Sequence, residues 1–386
     1  MKKLLLILLC LPMIGFGQVY IPDANFKAYL VGNTAINTNG DTEIQVSEAT
    51  AFNGTINCNS MNISDLTGIE DFTALTQLWC LGNLLSSLDV SQNTALNTLN
   101  CSDNQLTSLD VSNNTALIYL SCKSNQLSSL DVSNNTALIY LRCQSNQLSI
   151  LDVSNNNALT LLFCTDNQLT SLDVSGATAL TQLWCQNNTL TSLDVSSFTA
   201  LDELHCMGNQ LTSLEVSGAT ALTNLWCNDN NLTSLDVSQN SFLIELLCSD
   251  NYLTSLNLST NIVLKKLYCI NNHLISLDLR NGNNLNWEWL GSIGSYYVFC
   301  QGNPSLYCIN VDDATWSTDN LLVASANIDP QHYFSTNCSP SAVQEHTTNK
   351  ELLKVTGLLG RETKQTNQPL FYIYDDGTVE KRIIVE

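Results

Sequence analysis

The chain is short of positive charge. Its 386 residues hold 14 Lys and Arg against 35 Asp and Glu, a formal net charge of −21. Phosphates repel such a surface, which argues against nucleic acid and leaves proteins, sugars and divalent cations as compatible partners. Histidine is scarce: His205, His273, His332 and His346 are all there are. No HExxH, GxSxG, phosphate-cradling glycine loop or dinucleotide fingerprint occurs, so no catalytic residues are expected and the chain reads as a non-enzyme. Beyond the N-terminus no run of eighteen apolar residues occurs, so no transmembrane segment is expected.

The start, MKKLLLILLCLPMIGFGQ, has a basic pair, an apolar run and a small-x-small end at Gly15–Gly17. This predicts a secretory signal peptide over residues 1–17. Cys10 follows Leu9 rather than a small residue, which speaks against a lipoprotein.

The dominant feature is a fixed period. From Leu75 to Asn284 the chain divides into ten blocks of 21 residues approximating LxxLxCxxNxLxSLDVSxNTA. A looser turn with Cys58 precedes them, and another with Cys300 follows an insertion of ten residues. Such a period means a solenoid whose turns bury their apolar faces only by stacking, with a cap at each end. Ser, Asn, Thr and Asp are too frequent in the block for helices. The solenoid is assigned to residues 56–311, between an N-terminal cap over 18–55 and a C-terminal cap over 312–338. Stacked turns lie roughly 4.8 Å apart, so twelve of them make a rod roughly 55 to 60 Å long.

The motif LxxLxCxxNxL resembles the leucine-rich repeat. Each block further splits into LxxLxCxxNx and LxxLDVSxNxx, which resembles the nested ten-plus-eleven class of internalin-like bacterial surface proteins. The resemblance covers most of the chain. It implies a mostly β fold of about twelve turns, with two short parallel strands per turn, one on each side of a narrow coil.

Four columns run along the repeat. The cysteines, Cys80 to Cys269 at every twenty-first residue, sit side by side rather than facing, so they neither bridge nor converge on a metal. They read as small apolar wedges where Leu would overfill. Asn follows each cysteine by three residues, from Asn83 to Asn272, and a second column (Asn93, Asn114, Asn135, Asn156, Asn240, Asn261) is interrupted by Ala177, Phe198 and Ala219. Both read as structural. The Asp of LDVS recurs in nearly every block, which marks it as structural rather than catalytic. Stacked carboxylates repel, so raised pKa values or a bound cation are expected there.

The outward position between Leu and Cys reads Trp79, Asn100, Ser121, Arg142, Phe163, Trp184, His205, Trp226, Leu247 and Tyr268, with Tyr119 and Tyr140 two places before it. Tyr119, Tyr140, Phe163, Trp184, His205, Trp226 and Tyr268 are therefore the candidate ligand-binding face, for a protein or a surface glycan. The alternative is that each ring only packs on its neighbour.

At the N-terminal cap, IPDANFKAYLVG predicts a short helix with Asp23 as N-cap and Phe26, Leu30 and Val31 on its apolar side. The following NTNGDTEIQVSE resembles an EF-hand loop. The resemblance implies calcium on Asn37, Asn39, Asp41, the Glu43 carbonyl and Glu48, although Asn37 replaces Asp and Thr42 replaces Gly. The alternative is a polar turn capping the following helix, with Glu48 exposed. Residues 304–338 resemble the C-terminal cap of such secreted proteins. Cys308 and Cys338 lie off the ladder and are the expected disulfide. Residues 339–350 read as a linker. Residues 351–386, with FYIY, DDGT and the terminal KRIIVE, resemble a type IX secretion sorting domain. This implies export by that machinery to the outside or outer surface of a Gram-negative cell. Recognition or adhesion is the expected role; a structural spacer and a carbohydrate-binding accessory are the alternatives.

Overall fold

The computed structural model describes residues 17–282, 297–321 and 328–338, and three later strands at 352–356, 369–374 and 379–383. The predicted signal peptide up to residue 16, most of the ten-residue insertion and the linker lie outside the described residues. The chain forms two compact units, one up to Asn337 and one from Cys338 onward.

The first unit is a right-through stack of parallel turns. One three-residue strand per turn, from Thr55–Asn57 to Tyr297–Phe299, builds a 12-stranded parallel sheet. Leucine sits opposite leucine along it, as Leu78↔Leu99, Leu99↔Leu120 and Leu120↔Leu141. The Leu and Cys of every LxC point inward and are wholly buried. This matches the expected fold and number of turns.

The second strand of each turn is less complete than the repeat suggests. Ile150–Asp152 pairs with Ser171–Asp173, and Ser192–Asp194 pairs with Ser213–Glu215. A third group of four ends in the C-terminal cap at Tyr333–Ser335. On that side the pairing is interrupted between these groups.

Asparagine ties the turns together. The Asn188 amide donates to the carbonyls of Cys164 (3.1 Å) and Cys185 (3.0 Å), while its oxygen accepts from Leu169 N at 2.9 Å. The second column ties turns by its amide nitrogens alone, Asn114 donating to Val90 and Asn93 carbonyls at 2.9 Å while its oxygen is buried without a partner. The residue just before each first-column Asn turns the chain through the left-handed region. Asp103, Ser124, Asp166, Asn187 and Asp229 there have φ of 52–56°, which small polar side chains tolerate.

The twelve ladder cysteines, Cys58 to Cys300, are all free and buried. Several point their thiol at the next turn's carbonyl, as Cys80 Sγ to Asn100 O at 3.5 Å. Burial pushes the thiols of Cys122, Cys185 and Cys227 up to about 12, so they stay protonated and inert. A thiol reagent should count close to none in the folded protein and near twelve once it is unfolded without reductant. A count near zero after unfolding would refute the packing role. Cys308 and Cys338 are each disulfide-bonded.

Both caps close the stack with hydrogen bonds. Helix α1 (Ala24–Gly32) starts at Asp23, whose carboxylate accepts from Asn25 N and Phe26 N and, on its other oxygen, from Ser64. Phe26 and Leu30 are fully buried and Val31 partly so. The Tyr29 hydroxyl accepts from Asn57 N at 2.8 Å, fixing the helix to the first strand. Helix α2 (Val46–Ala51) follows the polar loop. At the far end, helix α3 (Ala314–Asn320) is capped by Asp313. The Asp329 carboxylate accepts from Gly302 N and Asn303 N, sealing the last turn. The second unit contains a three-stranded antiparallel sheet, Leu352–Thr356, Pro369–Tyr374 and Val379–Ile383. Among the described residues no helix is long and apolar enough to cross a membrane.

Candidate functional site

The outward column of the long sheet forms a stack of rings. Parallel pairing sets His205 opposite Trp184 on one side and Trp226 on the other. The rings close up face to face: Phe163 on Trp184 at 4.3 Å, Trp184 on His205 at 4.9 Å and His205 on Trp226 at 4.0 Å, with interplanar angles of 25°, 17° and 3°. The Arg142 guanidinium lies over Phe163 at 5.3 Å. Leu247 then interrupts the series. Tyr268 meets Phe299 edge-on at 4.9 Å, with Lys266 above it. Toward the N-terminus Tyr119 stacks on Trp79 at 5.8 Å and tilts against Tyr140 at 6.2 Å.

Spacing along the sequence predicted this column, and the packing of each ring on its neighbour, the alternative offered there, is what the structure shows. Phe163 is only 7 % exposed and His205 only 5 %, while Trp184, Trp226 and Tyr268 are half-buried. Of the predicted ribbon, Tyr140 counts as exposed, at 38 %. Turns spaced roughly 4.8 Å apart bring flat rings almost into contact, so each covers its neighbour. The ring faces are turned to one another and the edges to the outside. Burial pushes His205 down to about 4, so it is uncharged near neutral pH. Its Nε2 and the indole nitrogens of Trp184 and Trp226 are buried without a hydrogen-bond partner.

The turns of Phe163, Trp184 and His205 also depart from the repeat on their inner side. Ala177, Phe198 and Ala219 replace the second-column asparagines and are fully buried. Gly176 and Gly218 precede two of them. A Cβ there would sit 1.7 Å from Ser154 O and 1.6 Å from Ser196 O, so the backbone passes closer than any other residue permits.

The Asp column is corrected. Asp110, Asp131 and Asp194 each accept from the Ser two residues on, near 2.9 Å. Those bonds hold their carboxyls below the ordinary range, at Asp131 against the opposing charge of Asp110 in the neighbouring turn. The expected rise in pKa does not occur at these aspartates.

The EF-hand-like loop is arranged around an anion instead of a cation. Glu48, 9 % exposed rather than open to solvent, accepts on one oxygen from Thr38 N (2.8 Å), Thr38 Oγ1 (2.9 Å) and Asn39 N (3.1 Å), and on the other from Gln45 N (3.0 Å). Burial alone would raise its pKa, but these donors hold it below the ordinary range. Asn37 donates to Val31 and Asp41 carbonyls, and Asn39 and Gln45 side chains donate to Asp41. Glu43 pairs with Lys27 at 2.7 Å. The side-chain oxygens offered for calcium on Asn37, Asn39, Asp41 and Glu48 thus already accept N–H and O–H groups of the loop, and donors directed at its centre do not fit a cation. Calcium at millimolar concentration should move the melting temperature by less than about 1 °C relative to chelator, whereas Glu48→Ala should cost about 2–4 kcal/mol by stranding four donors. A calcium-dependent rise of several degrees would restore the EF-hand reading.

Parallel turns, a cysteine column, paired asparagine ladders and a ring-bearing sheet face define a bacterial-type leucine-rich repeat scaffold. No protein-family model and no curated protein sequence matches the chain. Solved structures do. The functional domain of InlJ from Listeria monocytogenes, described as including a cysteine ladder, is 36 % identical with a TM-score of 0.65, over 81 % of this chain and 68 % of that one. A leucine-rich repeat protein of Leptospira interrogans is 23 % identical with a TM-score of 0.53, over 68 % and 74 % of the two chains. An internalin, InlF, of Listeria monocytogenes is 19 % identical with a TM-score of 0.52, over 83 % and 96 %. The chain belongs to the internalin-like leucine-rich repeat proteins.

Proposed function

We propose that this chain is a non-catalytic recognition protein that binds a protein partner through the outward face of its 12-stranded sheet, centred on Trp184, His205 and Trp226. One observation carries the reading. Three of the four turns of the unbroken ring stack, those of Phe163, Trp184 and His205, have their inner asparagines replaced by Ala177, Phe198 and Ala219, and the fourth, that of Trp226, keeps Asn240. A spacer has no need to leave its repeat on both sides at one place. A glycan is the weaker partner, because sugar rings stack on aromatic faces and these faces are spent on each other. Flat half-buried edges suit the close-packed core of a protein interface. Membership of the internalin-like family supports binding as the role.

The route outward belongs to the same proposal: a signal peptide over residues 1–17, and a type IX sorting domain over 351–386, delivering the protein to the outer surface or medium of a Gram-negative cell for recognition or adhesion. Mass spectrometry of the exported protein tests it, since retained residues at both ends would refute processing. Probing protein and glycan arrays with wild-type and Trp184→Ala/Trp226→Ala proteins tests the recognition. Protein hits lost in the variant support it; glycan hits alone, or none, reject it.

A further inference from the structure

The ring stack lies in a window without positive charge. From Leu159 to Val263, five consecutive blocks, there is no Lys or Arg and there are ten Asp and Glu. Lys123 and Arg142 precede the window and Lys265 and Lys266 follow it. Four of the ten acids, Asp173, Asp194, Glu215 and Asp236, belong to the opposite, LDVS side, where the three aspartates hold their serine turns. The other six, Asp166, Asp202, Glu203, Asp229, Glu245 and Asp250, lie on or beside the strands of the long sheet. Among the described residues only Glu245 of these six has an ion pair, with Lys266 at 3.4 Å. Asp202 takes the Thr223 hydroxyl, and Asp166 and Asp250 take amides of Asn187 and Asn271. Glu203 takes no side-chain hydrogen bond or ion pair among the described residues. Two residues along the same strand is His205, at 5 % exposure, with its Nε2 unpartnered in the middle of this acidic surround.

Resting on the recognition reading above, we propose that this window docks a basic protein surface, one that sets Lys or Arg side chains against Glu203 and Asp229 across the ring edges. Six carboxylates around a half-buried apolar strip leave an acidic partner repelled and a neutral one unrewarded. A cationic partner is both attracted at long range and paired on arrival. The net charge of −21 steers such a partner in and makes its on-rate fall with salt. Water excluded by the packed rings strengthens the pairs at the centre relative to those at the rim.

The test is a random peptide library displayed on phage and selected on the full mature chain at physiological salt. Binders that fail on Trp184→Ala/Trp226→Ala should be enriched in Lys and Arg. Their affinity should fall about tenfold on Glu203→Gln with Asp229→Asn. It should change less than about twofold on Asp194→Asn with Asp236→Asn, on the opposite side. That control keeps the turn, because Asn257 already makes the same bond to Ser259. Ring-dependent binders with no excess of Lys and Arg overturn this proposal and leave recognition standing. Equal loss with both variant pairs overturns it as mere bulk attraction. Binders indifferent to the rings, or none at all, overturn the recognition reading and this proposal with it.

Discussion

Replacing Asn188 by alanine should cost about 3–5 kcal/mol and loosen the middle of the solenoid. The side chain is buried and ties two turns at once. Without it the Leu169 N–H loses its acceptor and the carbonyls of Cys164 and Cys185 lose a donor, all where water does not reach. The strain does not stay local, because each turn is stable only through the neighbours it covers. Urea unfolding followed by circular dichroism measures the loss. The exposed Ser192→Ala on the far side should stay within about 0.5 kcal/mol. A cost below about 1 kcal/mol for Asn188→Ala would mean that turns stack on leucine and cysteine alone.

The double variant Trp184→Ala/Trp226→Ala should lose more than tenfold in partner affinity, the scale of a hot spot. It should also change a property of the isolated protein. His205 is uncharged at ordinary pH because the two indoles bury it. Removing both reopens the imidazole to water, so its pKa should climb from about 4 toward the ordinary histidine value. Glu245, whose charge favours the protonated ring, pushes the same way. An NMR pH titration reads this directly. A His205 that still titrates near 4 would show that the rings are not what buries it. Intact binding in the variant would remove the ring face from recognition.

The columns were legible because repetition turns a weak preference into a strong one. One Cys or one Asn three residues later means little. Ten in step admit only a stacked role, and the hydrogen bonds of Asn188 and the buried thiols follow from it. Asp23 was legible as an N-cap because a helix start needs only local sequence. What escaped depends on orientation. Period and alternation place Phe163, Trp184, His205 and Trp226 on one face, but they do not say whether ring faces or ring edges look outward. The inter-turn distance decides that. The Asp column was misjudged because repulsion between turns was weighed without the Ser N–H two residues on, in the turn that follows. Glu48 shows the deepest ambiguity. The twelfth residue of a cation loop is also the third residue of a helix, and Gln45-x-x-Glu48 closes as a capping box.

In-register stacking has a consequence for how such a chain can lengthen or shorten. Along the long sheet, each strand from Gln77–Trp79 to Lys266–Tyr268 pairs with the next in the same register. Blocks 117–137 and 138–158 are nearly the same sequence, LIYLSCKSNQLSSLDVSNNTA and LIYLRCQSNQLSILDVSNNNA. Excising one of them would rejoin every column across the seam, shorten the molecule by roughly 4.8 Å and leave the caps and the ring stack as they are. The molecule's reach can therefore be inherited separately from its recognition surface, with whole blocks gained or lost on one side of the window while the window itself is kept.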